Sequence, residues 1–310
     1  MLESSSSICI LIPIHNRKAI TLQCLCGLSK CNLGPKYHIV VIDDGSTDGS
    51  AELIQKKYPE VSILQGDGTL WWTGAIKLGM QYAYSLDCDY MIWLNDDCLV
   101  QPSTIEQLVE FVAGNQNSII GGVGYEKTLP TQPSFGGKQK KIFQYRMLML
   151  ARREIYSCDL LSGNLVCMPT SVVQDIGYPD PKKCAHYGGD SHFLIRARKA
   201  GYSIFVDARW PAQNISTDST SKMNSNRWLL GDTSAKKLFQ LIFTRQSILS
   251  WRVWWFLYTE DYGPIGICPF LIKIFKMITI LLCISILRPL PLPMRKRISL
   301  TKRRLFAEDA

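Results

Sequence analysis

The sequence predicts a doubly wound α/β fold, and three observations carry that reading. Short apolar runs alternate with helix-period segments as β-α-β-α-β-α-β-α over roughly the first hundred residues. One run, Tyr90–Leu94, is apolar throughout, the mark of a strand covered on both faces in a parallel sheet. It runs directly into Asn95-Asp96-Asp97. Ligands of open α/β sheets sit outside the carboxyl ends of the strands, so these three groups are expected at a crevice. Adjacent carboxylates there suit a hard divalent cation. Asn and Asp are also common in solvated turns, so the stretch alone supports either use.

The elements follow in order. Residues 8–12 form a buried strand stopped by Pro13, and residues 18–30 a helix with Ile20, Cys24 and Leu28 on one face. A second strand, 37–42, ends in Asp43-Asp44-Gly45-Ser46-Thr47-Asp48, whose acidic and hydroxyl groups suit the start of the helix at 49–58. A short strand at 61–64 leads to the Gly-rich turn 66–74, which carries Trp71 and Trp72. Next comes a helix with Ile76, Gly79, Met80, Ala83 and Tyr84 on one face. After the Tyr90 strand, Ser103-x-x-Glu106 reads as a capping box for a helix facing inward through Ile105, Leu108, Val109 and Val112.

Beyond residue 119 the pattern loosens. Residues 119–125 read as a strand, 126–144 as a Gly/Pro/Lys-rich loop, and 160–168 as one further apolar strand. Ser171-x-x-Gln174 reads as a cap. Tyr187-Gly188-Gly189-Asp190 opens a helix that closes at Gly201, followed by a strand at 203–206 and a polar loop at 214–226. The expected division is 1–235 for the α/β domain, with halves 1–118 and 119–235, and 236–310 for an appendage.

Composition narrows the function. The chain is 46% hydrophobic and 20% charged, as globular proteins are. Its net charge is +9, but residues 288–310 hold seven basic against two acidic residues. The body is therefore only mildly basic, and a nucleic-acid groove is not implied. Eleven cysteines without a CxxC pair read as reduced cytosolic thiols. The start of the chain reads as lacking a signal peptide. The turn after the first strand, Pro13-Ile14-His15-Asn16-Arg17, lacks GxGxxG, which argues against a dehydrogenase. It also lacks the Gly-rich basic loop that a sugar-1-phosphate nucleotidyltransferase would want there.

Four elements now stand in order: the Pro13–Arg17 turn, Asp43-Asp44-Gly45-Ser46-Thr47-Asp48, Asn95-Asp96-Asp97, and Gly189-Asp190 opening a helix. Together they resemble family 2 glycosyltransferases of the GT-A fold. Leu70-Trp71-Trp72-Thr73-Gly74 is similar to the rhamnosyltransferase-like branch. The resemblance covers roughly residues 8–210. It implies a nucleotide-sugar site at Pro13, His15, Asn16, Asp43, Asp44, Lys77, Asn95 and Asp96, with Trp71 and Trp72 against a sugar. It also implies Asp97 as ligand of Mg²⁺ or Mn²⁺, and Asp190 as the base of an inverting transfer. The alternative for Asp190 is a helix N-cap. Asp87-Cys88-Asp89 precedes its strand and so falls at the wrong end of the sheet. Asn95 and Gly189 stand where the family usually has acids, which keeps a catalytically inactive nucleotide-sugar-binding protein as the rival reading.

The appendage opens with an aromatic segment that sets Trp251, Trp254 and Trp255 beside Arg245 and Arg252, an interfacial composition. Residues 264–287 are long enough to cross a bilayer, but Pro269, Lys273 and Lys276 interrupt them. Arg295-Lys296-Arg297 and Lys302-Arg303-Arg304 suit anionic lipid. The expectation is a peripheral anchor, rather than a span, at the cytoplasmic face of the plasma (inner) membrane. The acceptor is then expected to be a lipid-linked saccharide of a surface polysaccharide.

Overall fold

The computed structural model describes residues 6–31, 33–126, 129–150, 153–215, 229–231 and 234–307. The chain divides into two compact units, Met1–Thr217 and Asp218–Ala310. The first unit begins with β1 (Ile8–Ile14), α1 (Lys18–Ser29), β2 (Tyr37–Asp43), α2 (Ser50–Lys57), β3 (Ser62–Gln65), α3 (Trp71–Ser85) and β4 (Tyr90–Leu94). It continues with β5 (Cys98–Leu99), α4 (Thr104–Gly114), β6 (Ser118–Glu126), β7 (Leu129–Phe135), β8 (Gly137–Lys141), β9 (Gln144–Met147) and β10 (Ile155–Cys158). The last elements are β11 (Leu160–Leu161), β12 (Leu165–Pro169), α5 (Val172–Ile176), α6 (Gly189–Lys199) and β13 (Ser203–Asn214).

The main sheet runs β10-β13-β6-β12-β4-β1-β2-β3. Strands β3, β2, β1 and β4 are parallel. Along β1, Ile8, Ile10, Ile12 and Ile14 join a core with Cys24, Leu25 and Leu28 of α1 and with Ile105, Leu108 and Val109 of α4. Leu11 points to the other face, where Gly79 of α3 packs against it and Ile42. Helices on both faces explain why β1 and β4 are apolar at every position.

Strand β12 runs antiparallel to both β4 and β6, with Leu165 opposite Leu94. This reversal brings the loop before β12 to the carboxyl end of β4. The apolar stretch expected as one strand over 160–168 is therefore broken at Ser162-Gly163-Asn164, between β11 and β12.

Other expectations need correction. The Gly/Pro/Lys-rich segment is not a loop: β7 pairs with β6, and β8 with β9. Gly124 leaves room for Phe135, which is fully buried, and the prolines of β7 sit on a strand that pairs with β6 alone. Neither Ser103 nor Ser171 makes a side-chain cap bond, so both capping boxes are unformed. Tyr84 is exposed rather than core. The strand at 203 continues to Asn214, and the polar segment 216–226 lies outside the described residues.

The second unit contains α7 (Ala235–Gln240), α8 (Trp251–Tyr262), a 3₁₀ turn (Gly263–Gly266), α9 (Ile267–Leu287) and α10 (Leu292–Ala307). By length and composition Trp251–Leu287 could cross a membrane as one helix, but it is not straight. Trp255 and Phe270 would lie about 22 Å apart along a continuous helix. Their ring centroids are 5.2 Å apart. The chain folds back at Gly263, whose φ is +60°. One face of α9 packs Met277, Leu281 and Ile284 against Leu238, Ile242 and Leu249. Lys273 does not lie free beside Lys276; its Nζ sits 3.9 Å from the Trp254 ring centroid. Arg288 and Arg295 donate to the carbonyls of Gly231 and Leu229.

Removing a side chain from the two-sided core is expected to be costly. Ile10→Ala, at a fully buried position, should lower unfolding free energy by about 2–5 kcal/mol. Ile142→Ala, 85% exposed, should stay within about 0.5 kcal/mol. Urea unfolding of both variants checks the contrast.

Candidate active site

Three strand ends and one helix start meet at the carboxyl edge of the parallel strands. The first link is Asp44. Its carboxylate accepts the backbone N–H groups of Gly68 (2.9 Å), Leu70 (3.1 Å) and Trp71 (2.8 Å). Trp71 is thereby held at φ +54°, a left-handed conformation that a bulky residue keeps only where its surroundings over-determine it. The Trp71 ring is 43% exposed and meets His186 edge-on at 5.7 Å. Asp43 is also buried and accepts Ser46 N–H through Oδ1.

The turn after β1 is stitched to the turn after β2. Asn16 Oδ1 accepts Thr47 N–H at 2.7 Å, and Asn16 N–H donates to Ser46 Oγ. His15 Nδ1 pairs with the Asp44 carbonyl at 2.6 Å, and both His15 and Asn16 are exposed. Pro13 is half-buried in β1. Lys77 is half-exposed on α3, and no described hydrogen bond or ion pair ties it to this cluster.

Arg17 reaches across to the end of β4. Its guanidinium pairs with Asp96 Oδ1 and with Asp97 Oδ2, each at 3.0 Å. The two neighbouring carboxylates are then unlike. Asp96 turns inward, is 1% exposed, and also accepts from the Thr21 hydroxyl. Its oxygens are therefore engaged within the fold rather than presented to a ligand. Burial pushes its pKa up to about 7, with Arg17 pulling the other way and Asp97 adding to the rise. Asp97 keeps one buried oxygen, Oδ1, with no hydrogen-bond partner. An orphaned carboxylate oxygen fits a hard cation, which takes oxygen ligands. Among the described residues no three His, Cys, Asp or Glu side chains cluster to hold a metal alone. A cation here would need further oxygens from its substrate, as Mg²⁺ commonly does.

The remaining side is built around Gly163. Asn95 N–H donates to the Asn164 carbonyl, and Trp72 Nε1 donates to Asn95 Oδ1 at 2.9 Å. A Cβ on Gly163 would fall 2.7 Å from Trp72 and 2.8 Å from Asp190. Asp190 accepts Gly163 N–H through Oδ2 (2.9 Å) and Ser191 N–H through Oδ1 (2.6 Å). It is not the N-cap of α6, since Gly188 holds that position. Gly189 packs against Thr73 so closely that any side chain would collide, which accounts for glycine where an acid was expected.

Trp72 is thus bonded to Asn95, Trp72 and Asp190 flank Gly163, and Asp97 follows Asn95 at the same strand end; Asp43, Asp44, His15 and Asn16 form the adjoining wall. Asp89 lies at the opposite end of β4, accepting Ser7 N–H. Arg17, at the end of the Pro13–Arg17 turn, is a bridging cation that no local sequence signal announces. His186, one residue ahead of the Tyr187–Asp190 stretch, likewise reaches the site without a sequence signal, through its edge-on contact with Trp71. His186 Nδ1 is buried without a partner, and burial lowers its pKa against the opposing charge of Asp190.

Residues 9–162 match a family model described as "Glycosyl transferase family 2". This segment belongs to that family. The chain is 26% identical over 199 residues to Glycosyltransferase AglE of Haloferax volcanii, covering 63% of this chain and 62% of that protein. It is 29% identical over 119 residues to Undecaprenyl-phosphate 4-deoxy-4-formamido-L-arabinose transferase of Pectobacterium carotovorum, covering 36% of each. The chain therefore spans less than two thirds of these relatives. A crystal structure of GalNAc-T7 with UDP, GalNAc and Mn²⁺ superposes with a TM-score of 0.59 at 15% identity, over 84% of this chain and 59% of that one. The fold is of the GT-A type.

The inward carboxylate generates a pH prediction. A folded-state pKa raised above the unfolded value means the native state binds the proton more tightly. Asp96 should therefore add stability at low pH that is lost as pH rises from about 4 to about 7. The difference in Tm between wild type and Asp96→Asn should fall across that window and flatten above it. Differential scanning fluorimetry at a series of pH values measures it.

Proposed function

We propose that the chain is an inverting, divalent-metal-dependent glycosyltransferase, moving a sugar from a nucleotide-sugar to the hydroxyl of a lipid-linked saccharide. The observation that carries this reading is that the end of β4, where Asp97 keeps a buried carboxylate oxygen without a partner, is bonded through Asn95 to the 162–164 loop that holds the Asp190 carboxylate. One suits a cation and the other a proton. GalNAc-T7 was solved with Mn²⁺ and UDP, which supports the metal and the class of donor. The undecaprenyl-phosphate transferase supports a lipid-linked acceptor by its name.

Asp97, with Asn95 beside it, would hold Mg²⁺ or Mn²⁺. When bound, such an ion neutralises the charge that develops on a departing diphosphate. Asp43, His15 and Asn16 line the nucleoside side; a carboxylate and an amide suit imide and ribose donors and acceptors. With three N–H donors on its carboxylate, Asp44 shapes the 66–71 turn, and Asp96 anchors Arg17. Trp71 offers an exposed ring face to a sugar. Lys77 is assigned to a donor phosphate. Asp190 takes the acceptor hydroxyl's proton as the new glycosidic bond forms and the anomeric carbon–phosphate oxygen bond breaks. Attack opposite the leaving group inverts the anomeric centre. The Leu70–Gly74 stretch favours deoxythymidine-diphosphate-rhamnose as donor, with UDP-sugars as the alternative.

The second unit supports work at a membrane, which we assign to the cytoplasmic face. On α9, Ile267, Leu271, Phe275, Ile278, Leu282 and Ile286 are exposed at helical spacing on one side. Such a stripe suits the acyl boundary of a bilayer, held peripherally. The domain boundaries assigned to this activity are 1–235 for transfer and 236–310 for anchoring.

Two variants test the chemistry. Asp190→Asn keeps one acceptor for the backbone N–H groups, so folding and donor binding should persist while turnover falls about 10²–10⁴-fold. Transfer rates with a panel of nucleotide-sugars, measured beside Tm, decide it; an active Asn variant removes Asp190 as base. Asp97→Ala should lose the Mn²⁺-dependent part of nucleoside-diphosphate binding in calorimetry, whereas Asp87→Ala and Asp89→Ala should keep it. Equal Mn²⁺ enhancement in all three would remove Asp97 as ligand.

A further inference from the structure

Two thiols meet at the amino edge of the sheet, the edge opposite the candidate site. Cys9 stands on β1 and Cys88 in the turn between α3 and β4, and both are buried. Side chains alternate along a strand, so Cys9 shares the α3-facing side of β1 with Leu11. Two backbone contacts hold the segments together: Asp89 N–H donates to the Ser7 carbonyl, and Ser7 N–H to the Asp89 carboxylate. The sulfurs of Cys9 and Cys88 are 2.9 Å apart, within about 1 Å of the S–S bond length. Ser7 Oγ lies 3.5 Å from Cys88 Sγ on the partly exposed side. Among the described residues, Cys24 and Cys31 turn their thiols to backbone carbonyls instead. Cys88 is the half of the pair nearer to water, because the Leu86-Asp87 turn before it is exposed. The hydrogen bond from Cys9 draws the Cys88 pKa down to about 7, and the Ser7 hydroxyl helps, against burial and the charges of Asp89 and Asp87. The thiolate is the reactive form of cysteine.

We propose that Cys9 and Cys88 form a reversible disulfide when the protein meets a peroxide, and that this bond locks the first unit. The inference is independent of the proposed transfer activity. The Cys88 thiolate attacks one peroxide oxygen and the O–O bond breaks, leaving a sulfenic acid on Cys88. The hydroxide released takes the proton that the Cys88 thiol had lost, and becomes water. The Cys9 sulfur then attacks the Cys88 sulfur, so that the S–S bond forms and the S–O bond breaks. The departing hydroxide takes the Cys9 proton. In sum, two thiols lose two electrons, one hydrogen peroxide is reduced, and two waters leave. Exchange with an external thiol reverses the bond. Transient disulfides of this kind are the ones that reducing compartments use. The loop so closed runs from residue 9 to residue 88 and holds β2, α2, β3 and α3. Closing a long loop restrains the unfolded chain most. Because the lock sits at the edge away from Asp97 and Asp190, its effect falls on stability.

The test treats the full, reduced chain with hydrogen peroxide, then denatures it in N-ethylmaleimide to block every remaining thiol, and digests it without reductant. Mass spectrometry should find the Cys9 and Cys88 peptides joined and two hydrogens lighter than their sum. Dithiothreitol should separate them. Oxidation should raise Tm by roughly 5–15 °C, and dithiothreitol should return it. Cys9→Ala and Cys88→Ala should each abolish that rise, whereas Cys26→Ala, at an exposed thiol, should keep it. The peptide mapping needs only the wild-type protein, so it decides the pairing even if a buried-site variant fails to fold. Recovery of Cys9 and Cys88 as maleimide adducts after peroxide, or of Cys88 as an unlinked sulfinic acid, overturns the proposal. A linked pair with unchanged Tm, or a rise that persists in Cys88→Ala, overturns the lock.

Discussion

A single guanidinium sets the arrangement of the carboxyl edge. Arg17 leaves the turn after β1 and reaches two adjacent carboxylates at the end of β4. Two neighbouring acids at a strand end repel each other, and one of them, Asp96, is buried. Burial penalises its charged form, and Arg17 pulls the other way. Arg17 offsets the repulsion and also divides the labour. It draws Asp96 inward, where Thr21 completes the bonding, and takes only one oxygen of Asp97. The other oxygen of Asp97 is left buried without a hydrogen-bond partner.

From there the site is assembled by polar side chains acting on backbone. Asp44 holds the start of α3 in a strained turn, so Trp71 and Trp72 enter at a fixed angle. Trp72 then fixes Asn95, and the reversed strand β12 delivers Gly163 between Trp72 and Asp190. Each step joins a residue near the first strands to one far along the chain. The Asp190 carboxylate is held by two backbone N–H groups, one from the 162–164 loop. A change at Gly163 would therefore act on Trp72 and Asp190 together, because both lie within reach of any added Cβ.

The legible part of the sequence was the part governed by local rules. Alternating apolar runs announce strands covered on both faces, and acids at their ends announce the crevice, so the fold class and the order of the site were readable. What was not readable depends on partners distant in sequence. Nothing local says that β12 runs against its neighbours, or that Pro-containing residues 129–135 pair with β6 because Gly124 admits Phe135. Nor does a pair of aspartates declare which faces inward; that follows from Thr21 and Arg17. The serines at 103 and 171 carry capping signatures, yet both adopt helical backbone angles and leave their side chains out of the cap.

The second unit shows the same limit from the other side. Hydropathy measures how apolar a stretch is and is blind to its direction. Residues 251–287 pass as one long span on that measure, yet Gly263 takes a positive φ and Gly266 lies against the Tyr258 carbonyl too closely for any side chain. The backbone can turn there because neither position carries a Cβ. Folding back satisfies one side of α9, through Met277, Leu281 and Ile284, and leaves six large apolar residues on another side in contact with solvent. Large contiguous apolar surface is rare on proteins that stay in water. A helix buried in a core would cover that surface, and a straight span would have no reason to fold back. A hairpin with one covered face and one bare apolar face is the form that fits an element lying along an apolar phase.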